Sequence, residues 1–375
     1  MRLTGLSLRH FRNLGVQDLS IPPEGLALVG DNAHGKSSFL EAIYYLETFR
    51  SFRGARDDQL VAFDHGVFRI GGTVGSGGET AHDHKEITAA FQREDKRKKV
   101  TVDGVEPDRL GDAIGSLAAV IFSPADIELV GGGPAERRRF LDIVLSLNEP
   151  GYLAAIQEYR QVLTRRNACL KANQAAAVVS AWNDGLVRSG ARVIQARSAW
   201  IGESGAPFGE CYAAISGEGA AHMTYRSSVS LEGARTVSDI EDAFRSALEA
   251  SVDSERRNAV TVVGPHRDEV RLRLEGEGKG RDIRTYGSGG QRRTAALALR
   301  LVEARTIRER RGTEPLMLLD DVFAELDAGR SERVLDLLDS SDVGQVLVTA
   351  PKPSDVRVRK DVLPRWIIRD GKIEA

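Results

Sequence analysis

Eight residues, "GDNAHGKS" (Gly30 to Ser37), fit the pattern G-x-x-x-x-G-K-S/T throughout. A loop of this kind turns backbone N–H groups toward an anion, helped by the positive end of the helix that follows. Lys36 would reach the β- and γ-phosphate oxygens of a nucleotide, and Ser37 would hold Mg²⁺. The candidate ATP contacts are Gly30, Asp31, Asn32, Ala33, His34, Gly35, Lys36, Ser37 and Ser38. Their partner should be a carboxylate ending a buried strand, and "PLMLLDD", Pro315 to Asp321, supplies two. Asp320 would hold the magnesium and orient Ser37, and Asp321 would polarise the attacking water. Two adjacent acids at a strand end can also simply cap the next turn. A third motif lies between: Ser288, Gly289, Gly290 and Gln291, with Arg292 and Arg293 after them, read as a helix start whose exposed N–H groups form a second anion site. A charge there gains about 0.3–1 kcal/mol when exposed.

These motifs need elements to hold them. "GLALVG" reads as a strand running into the loop, and Phe39, Leu40, Ile43 and Leu46 fall at helical spacing after it, the strand, loop, helix order a phosphate loop requires. "VFRIGGTV", "KEITAAFQ", "KKVTVDG" and "LAAVIFS", separated by polar turns between residues 67 and 123, suggest an antiparallel patch. Composition shifts near Pro134, well placed as a first-turn residue, with Phe140, Leu141, Val144 and Leu147 on one helical face. From there to Glu255 the pattern is largely helical, ending in "SDIEDAFRSALEA". Strands return with "AVTVVGPHRDEVRLRL"; then come a helix, "LMLLD", a helix from about Ser331, "GQVLVTA", and a hairpin signalled by Asp370-Gly371. The predicted division is a head, first part, 1–133; a helical insertion, 134–255; and a head, second part, 256–375.

Composition sets the background. With 28% charged and 41% hydrophobic residues in 375, the chain is ordinary for a soluble protein, and no apolar run approaches the roughly 20 residues of a membrane span. The start "MRLTGLSLRHFRNL" lacks a long apolar core, so a cytoplasmic protein is expected. A net charge of -2 excludes a uniformly basic nucleic-acid binder but leaves room for a local patch. Cys169 and Cys211 lie in no metal-binding spacing and are expected as buried, reduced thiols, and His82 and His84 lack nearby ligands for zinc. The basic runs Glu94 to Lys99 and Ile307 to Arg311 read first as solvated turns or helix faces, and Glu136 to Arg139 reads as internal ion pairs as readily as a DNA contact.

Phosphate loop, S-G-G-Q and acidic strand, in this order, resemble the ABC-type ATPase head, which accepts a large insertion between loop and signature. The resemblance implies an α/β fold, a P-loop head with a mixed sheet interrupted by a mainly helical domain. "LSLRHFRNL", "IFSPADIELVGGGPAERRRFLDIVL", "VVGPHRDEV", "GSGGQRRTAALALRL" and "LLDDVFAELD" are similar to the RecF family of bacterial DNA replication and repair proteins. That family implies an ATP-dependent homodimer with Mg²⁺, acting on gapped or junction DNA with other recombination mediators to load recombinase, and not at a membrane. By the same resemblance Arg12, beside Asn13, would lie near phosphate, Ser288 to Gln291 would face the partner's nucleotide, and Asp327 would be the D-loop. Asp126 stands where other ABC heads often carry glutamine, and either positions metal or water there or caps a helix; Ala350 stands where many have a switch histidine, and that absence implies slow hydrolysis. His266, Arg267 and Asp268 belong to the resemblance without an assigned role. A transporter ATP-binding subunit uses the same motifs and is the alternative, and a chromosome-organising ATPase with long heptad arms is a third.

Overall fold

The computed structural model describes residues 1–75, 84–217, 219–276, 280–340, 344–356, 358 and 363–375, with backbone alone for 324, 325, 339 and 340. His82 lies outside the described residues. The chain forms two compact units, Met1–Asp126 with Leu299–Ala375, and Ile127–Ala298. Residues 127–133 and 256–298 thus pack with the helical unit, whereas the change in composition places them with the head.

The first unit contains two sheets. Strands β1 (Arg2–Arg9), β2 (Gln17–Ser20), β4 (Val67–Gly75), β5 (His84–Gln92) and β6 (Arg97–Val102) make an antiparallel sheet in the order β2-β1-β4-β5-β6. The mixed sheet is β14-β13-β3-β12-β11-β7, from β3 (Gly25–Val29), β7 (Ala119–Phe122), β11 (Leu316–Asp320), β12 (Val346–Ala350), β13 (Arg365–Arg369) and β14 (Lys372–Glu374). "LAAVIFS", expected in the antiparallel patch, supplies β7, which runs parallel to β11 at the sheet edge. The reason is burial on both faces. All four residues of β7 are buried, as are all of β3, β11 and β12, the unalternating pattern of strands in a covered parallel sheet.

The helix Lys36–Thr48 packs among these strands. Twelve of its thirteen residues are buried, so it is enclosed all round and not on the single face that Phe39, Leu40, Ile43 and Leu46 suggest. Those four and Tyr45 have no exposed surface; emptying such a site, as in Phe39→Ala, costs about 3–5 kcal/mol.

In the second unit the helices Pro134–Asn148, Tyr152–Lys171, Asn183–Ser216 and Val237–Ala250 dominate, and Pro134 begins its helix as expected. The segment is not purely helical: Ala221–Arg226 forms β8, which pairs with β9 (Glu269–Leu274), and β9 with β10 (Arg281–Asp282). "AVTVV", expected as a strand, is irregular, because its backbone bonds go to side chains: Thr261 N–H donates to Asn167 Oδ1 at 2.8 Å and Val262 N–H to Glu255 Oε1 at 3.3 Å. Cys169 and Cys211 are half-buried and not fully buried. Among the described residues no helix is long and apolar enough to cross a membrane.

Candidate nucleotide site

β3 ends at Val29 and the helix begins at Lys36, so residues 30–35 must reverse and open within one short loop. Ala33 (φ 71°) and Gly35 (φ 108°) supply the left-handed turns. A side chain at Gly35 would meet Leu14 Cδ2 at 2.9 Å. Alternating backbone handedness of this sort aims successive N–H groups into one concavity, an anion nest. Lys36 Nζ donates to the carbonyls of Gly30 (2.6 Å) and Asp31 (2.9 Å), which fixes the ammonium beside the loop. Burial lowers its pKa, and Asp321, Asp320 and Asp31 act in the other direction. Both acids predicted to be its partners thus favour its charged form.

Asp320 ends the buried strand β11. Ser37 Oγ donates to Asp320 Oδ1 at 2.9 Å and Thr349 Oγ1 to the same oxygen at 3.0 Å. Burial pushes the Asp320 carboxyl up, and the hydrogen bonds from Ser37 and Thr349 pull it back. Thr349 also accepts the N–H of Asp321 at 3.2 Å. Asp321 is left-handed (φ 48°) and makes no side-chain cap to the following turn Val322–Glu325, which speaks against a mere turn cap. The neighbouring Ser37 and Asp320 oxygens suit a hard cation: Mg²⁺ takes one or two protein oxygens and completes its octahedron with phosphate and water. Ser37 and Asp320 would hold it, and it would supply charge neutralisation to the phosphates.

The loop is propped from its far side. Asn13 Nδ2 donates to Ala33 O at 3.0 Å, and Ser38 Oγ donates to Asn13 Oδ1 at 3.0 Å. The hairpin turn Asp370-Gly371 adds two more bonds, Asp370 N–H to His34 Nδ1 (2.8 Å) and Gly371 N–H to His34 O (3.1 Å). His34 Nδ1 is thus an acceptor. Arg12, expected near phosphate, is held on the flank of the helix by a bidentate pair, its Nε and Nη2 donating to Glu41 at 2.9 and 3.0 Å.

The other singled-out residues of this unit have local partners. Asp126 accepts from Ser123 N–H at 2.9 Å and from Arg300 Nη2 at 2.6 Å, so its carboxylate is fully engaged. Arg311 donates to Glu47 and to the Leu117 carbonyl, and Arg308 pairs with Glu314, so these two arginines of the Ile307 to Arg311 run are held by protein partners. Lys98 is bound to Asp57 and the Phe49 carbonyl. Asp327 accepts Arg330 N–H at 2.9 Å and opens the helix Ala328–Ser340. Ala350, with no side chain to sense phosphate, ends β12 and accepts the Gly30 N–H.

In the second unit, Ser288 and Gln291 form a reciprocal cap: Ser288 N–H donates to Gln291 Oε1 (2.8 Å) and Gln291 N–H to Ser288 Oγ (3.2 Å). The expected array of open N–H groups is shortened by this cap, and Gly289 beside it has nothing within 4 Å of where a side chain would stand. His266 and its neighbours are architectural: His266 Nε2 donates to Thr261 O at 3.0 Å, Tyr159 OH donates to Nδ1 at 2.6 Å, and Asp268 holds Ser228 N–H at 2.7 Å and Tyr225 OH. Burial lowers the His266 pKa to about 4, and the ring is neutral.

Two contributors escaped the sequence reading. Thr349 shows only as a polar residue next to the end of an apolar strand. Arg53 acts on Asp320 electrostatically and lowers its pKa, yet it lies in the turn after the helix and carries no motif.

The family model "RecF/RecN/SMC N terminal domain" matches residues 2–363. The "DNA replication and repair protein RecF" of Salinibacter ruber is 36% identical over 359 residues, covering 94% of this chain and 85% of its own. A solved structure of the recombination mediator protein RecF with ATPrS, of the RecFOR pathway, aligns at 31% identity with a TM-score of 0.88 over 100% of this chain and 97% of its own. The Smc head domain of Pyrococcus furiosus aligns at 18% identity and TM-score 0.56, over 99% and 95%, a likeness of fold.

Proposed function

This chain belongs to the RecF/RecN/SMC family, and within it to the RecF proteins of DNA replication and repair; on that premise we propose that it is an ATP-dependent, DNA-binding recombination mediator. The observation that carries the reading is the 2.9 Å bond between Ser37 and Asp320, which joins the phosphate loop to the acidic strand across 283 residues of sequence. Residues 30–38 cradle the ATP phosphates with Arg12 at the flank, Ser37 and Asp320 hold Mg²⁺, and Asp321 orients water for weak, DNA-linked hydrolysis. Two copies close on ATP, the loop of one facing Ser288 to Gln291 and Asp327 of the other. The dimer binds gapped or junction DNA and, with other mediators, helps load recombinase in the cytoplasm. A transporter subunit is not favoured, since the full-length relatives are RecF proteins.

Because the net charge is -2, DNA affinity must come from a localised basic surface. Dimer closure would bring two such surfaces onto one duplex and roughly double the phosphate contacts Z, and log affinity falls with log salt at a slope of about -0.9Z. Anisotropy titrations on random-sequence gapped duplexes at several salt concentrations should show tighter binding and a steeper slope with ATP. Equal affinity and slope in both nucleotide states would reject the ATP-controlled clamp.

A further inference from the structure

The three-stranded sheet of the second unit presents a basic face. Along β9 the side chains alternate: Val270 and Leu272 are buried, and Glu269, Arg271 and Arg273 lie on the opposite face. In register across β8 stand Arg226 opposite Glu269, Thr224 opposite Arg271 and His222 opposite Arg273, all three exposed. A cleft of about 290 Å³ opens beside β9, lined by Arg137, Arg271, Arg273, Arg284, Glu269 and Asp282 among others.

Its two acids are engaged. Glu269 holds the buried Arg137 through two bonds, Nε to Oε1 at 2.9 Å and Nη2 to Oε2 at 3.1 Å. Asp282 accepts Thr285 N–H at 3.2 Å. Among the described residues, by contrast, the side chains of Arg226, Arg271 and Arg284 take part in no hydrogen bond or ion pair. Arg226 and Arg284 are exposed and Arg271 is half-buried at the cleft, so three guanidiniums stand near one another on a chain whose net charge is negative, and their forked donors match phosphate oxygens.

We propose that this face, with Arg271 and Arg284 at its cleft and Arg226 on the adjoining strand, binds the phosphate backbone of duplex DNA. The inference rests on the DNA-binding reading above and deepens it by naming a surface. A duplex is favoured over a single strand because β8 and β9 carry no Phe, Tyr or Trp on that face; single-strand sites add stacked bases to backbone contacts, whereas phosphate contacts alone suffice for sequence-independent duplex binding.

The test uses the full chain with both arginines changed, Arg271→Ala with Arg284→Ala, and a second variant with lysine at both positions. Binding to a random-sequence duplex is followed by anisotropy across a salt series with ATP present, with ATP affinity measured separately. In the ATP-bound dimer the alanine pair removes two contacts from each copy, so it should weaken duplex binding at low salt and flatten the log–log slope by about 3.6, or 0.9 per lost contact. ATP affinity should be unchanged and the lysine pair should restore the slope. If the wild type binds duplex and the alanine pair matches it in affinity and slope, the surface is overturned while the DNA-binding reading stands. A wild type that binds no DNA in any nucleotide state removes both. Loss of binding to a poly-glutamate probe with unchanged duplex slope would assign the face to an acidic protein partner and overturn the proposal.

Discussion

Asp320 is a carboxylate buried at a strand end, costly unless its oxygens find donors; Ser37 and Thr349 supply them. Lys36→Ala removes a charge-assisted contact worth about 1.5–3 kcal/mol. ATP affinity should fall roughly 10- to 100-fold, and wild-type affinity by isothermal titration would remove Lys36 from the site. Asp321→Asn leaves Asp320 and the loop intact, so ATP should still bind while hydrolysis stalls; ATP-bound dimers should persist in light scattering, and rapid turnover by this variant would contradict the water-orienting role. His266 makes a pH prediction. Its folded pKa, about 4, lies below the ordinary 6.5, so the unfolded chain binds the extra proton between these values. Stability is fully present above 6.5 and is lost as pH falls toward 4, by up to about 1.4 kcal/mol per pH unit. His266→Gln, which can keep both hydrogen bonds, should flatten that limb of a urea-denaturation series; an unchanged limb would place the acid sensitivity elsewhere. At this scale the loop and both acids were legible, because their chemistry is local in sequence. Thr349 and Arg53 were not, since only the register of β12 against β11 and the turn after the helix bring them to Asp320.

Elements decide whether the loop keeps its shape. The β13–β14 turn was readable from Asp370-Gly371, both left-handed in the structure (φ 47° and 76°), as the tightest hairpins require. Its second role was not readable: periodicity gives a turn, but not that the turn bonds His34 from behind. A side chain at Gly371 would stand 1.9 Å from Asn13 O, in the segment that also holds Ala33. Gly371→Ala should therefore destabilise by about 1–3 kcal/mol and weaken ATP binding. Gly104→Ala is the control, because Gly104 is equally left-handed (φ 77°) with nothing within 4 Å. It carries the backbone strain without the collision. If the two variants lose the same stability and neither loses ATP affinity, the hairpin does not support the loop. The same limit explains "LAAVIFS" and "AVTVV". Both are apolar and β-branched, but one is taken by the parallel sheet edge and the other by polar side chains, choices made by tertiary neighbours.

Why the nucleotide motifs are divided along the chain becomes a question about two molecules. The phosphate loop and both acids belong to the unit of residues 1–126 and 299–375, and Ser288 to Gln291 to the unit of residues 127–298. If each composite site takes the loop from one copy and the signature from the other, lesions in the two motifs should complement each other. Ser288→Arg places a bulky cation at the capped helix start while leaving that chain's loop able to bind ATP, and alone it should not dimerise with ATP in sedimentation velocity. Lys36→Ala alone should fail for want of nucleotide. A mixture of the two can form heterodimers in which the intact loop of the Ser288→Arg chain meets the intact signature of the Lys36→Ala chain, restoring one of two sites. ATP-dependent heterodimers, detected by a fluorophore on one variant, should appear only in the mixture, with hydrolysis per dimer at no more than half the wild-type value. If the site is instead completed within one chain, the mixture will behave as the sum of its parts, and the sandwich arrangement must be abandoned.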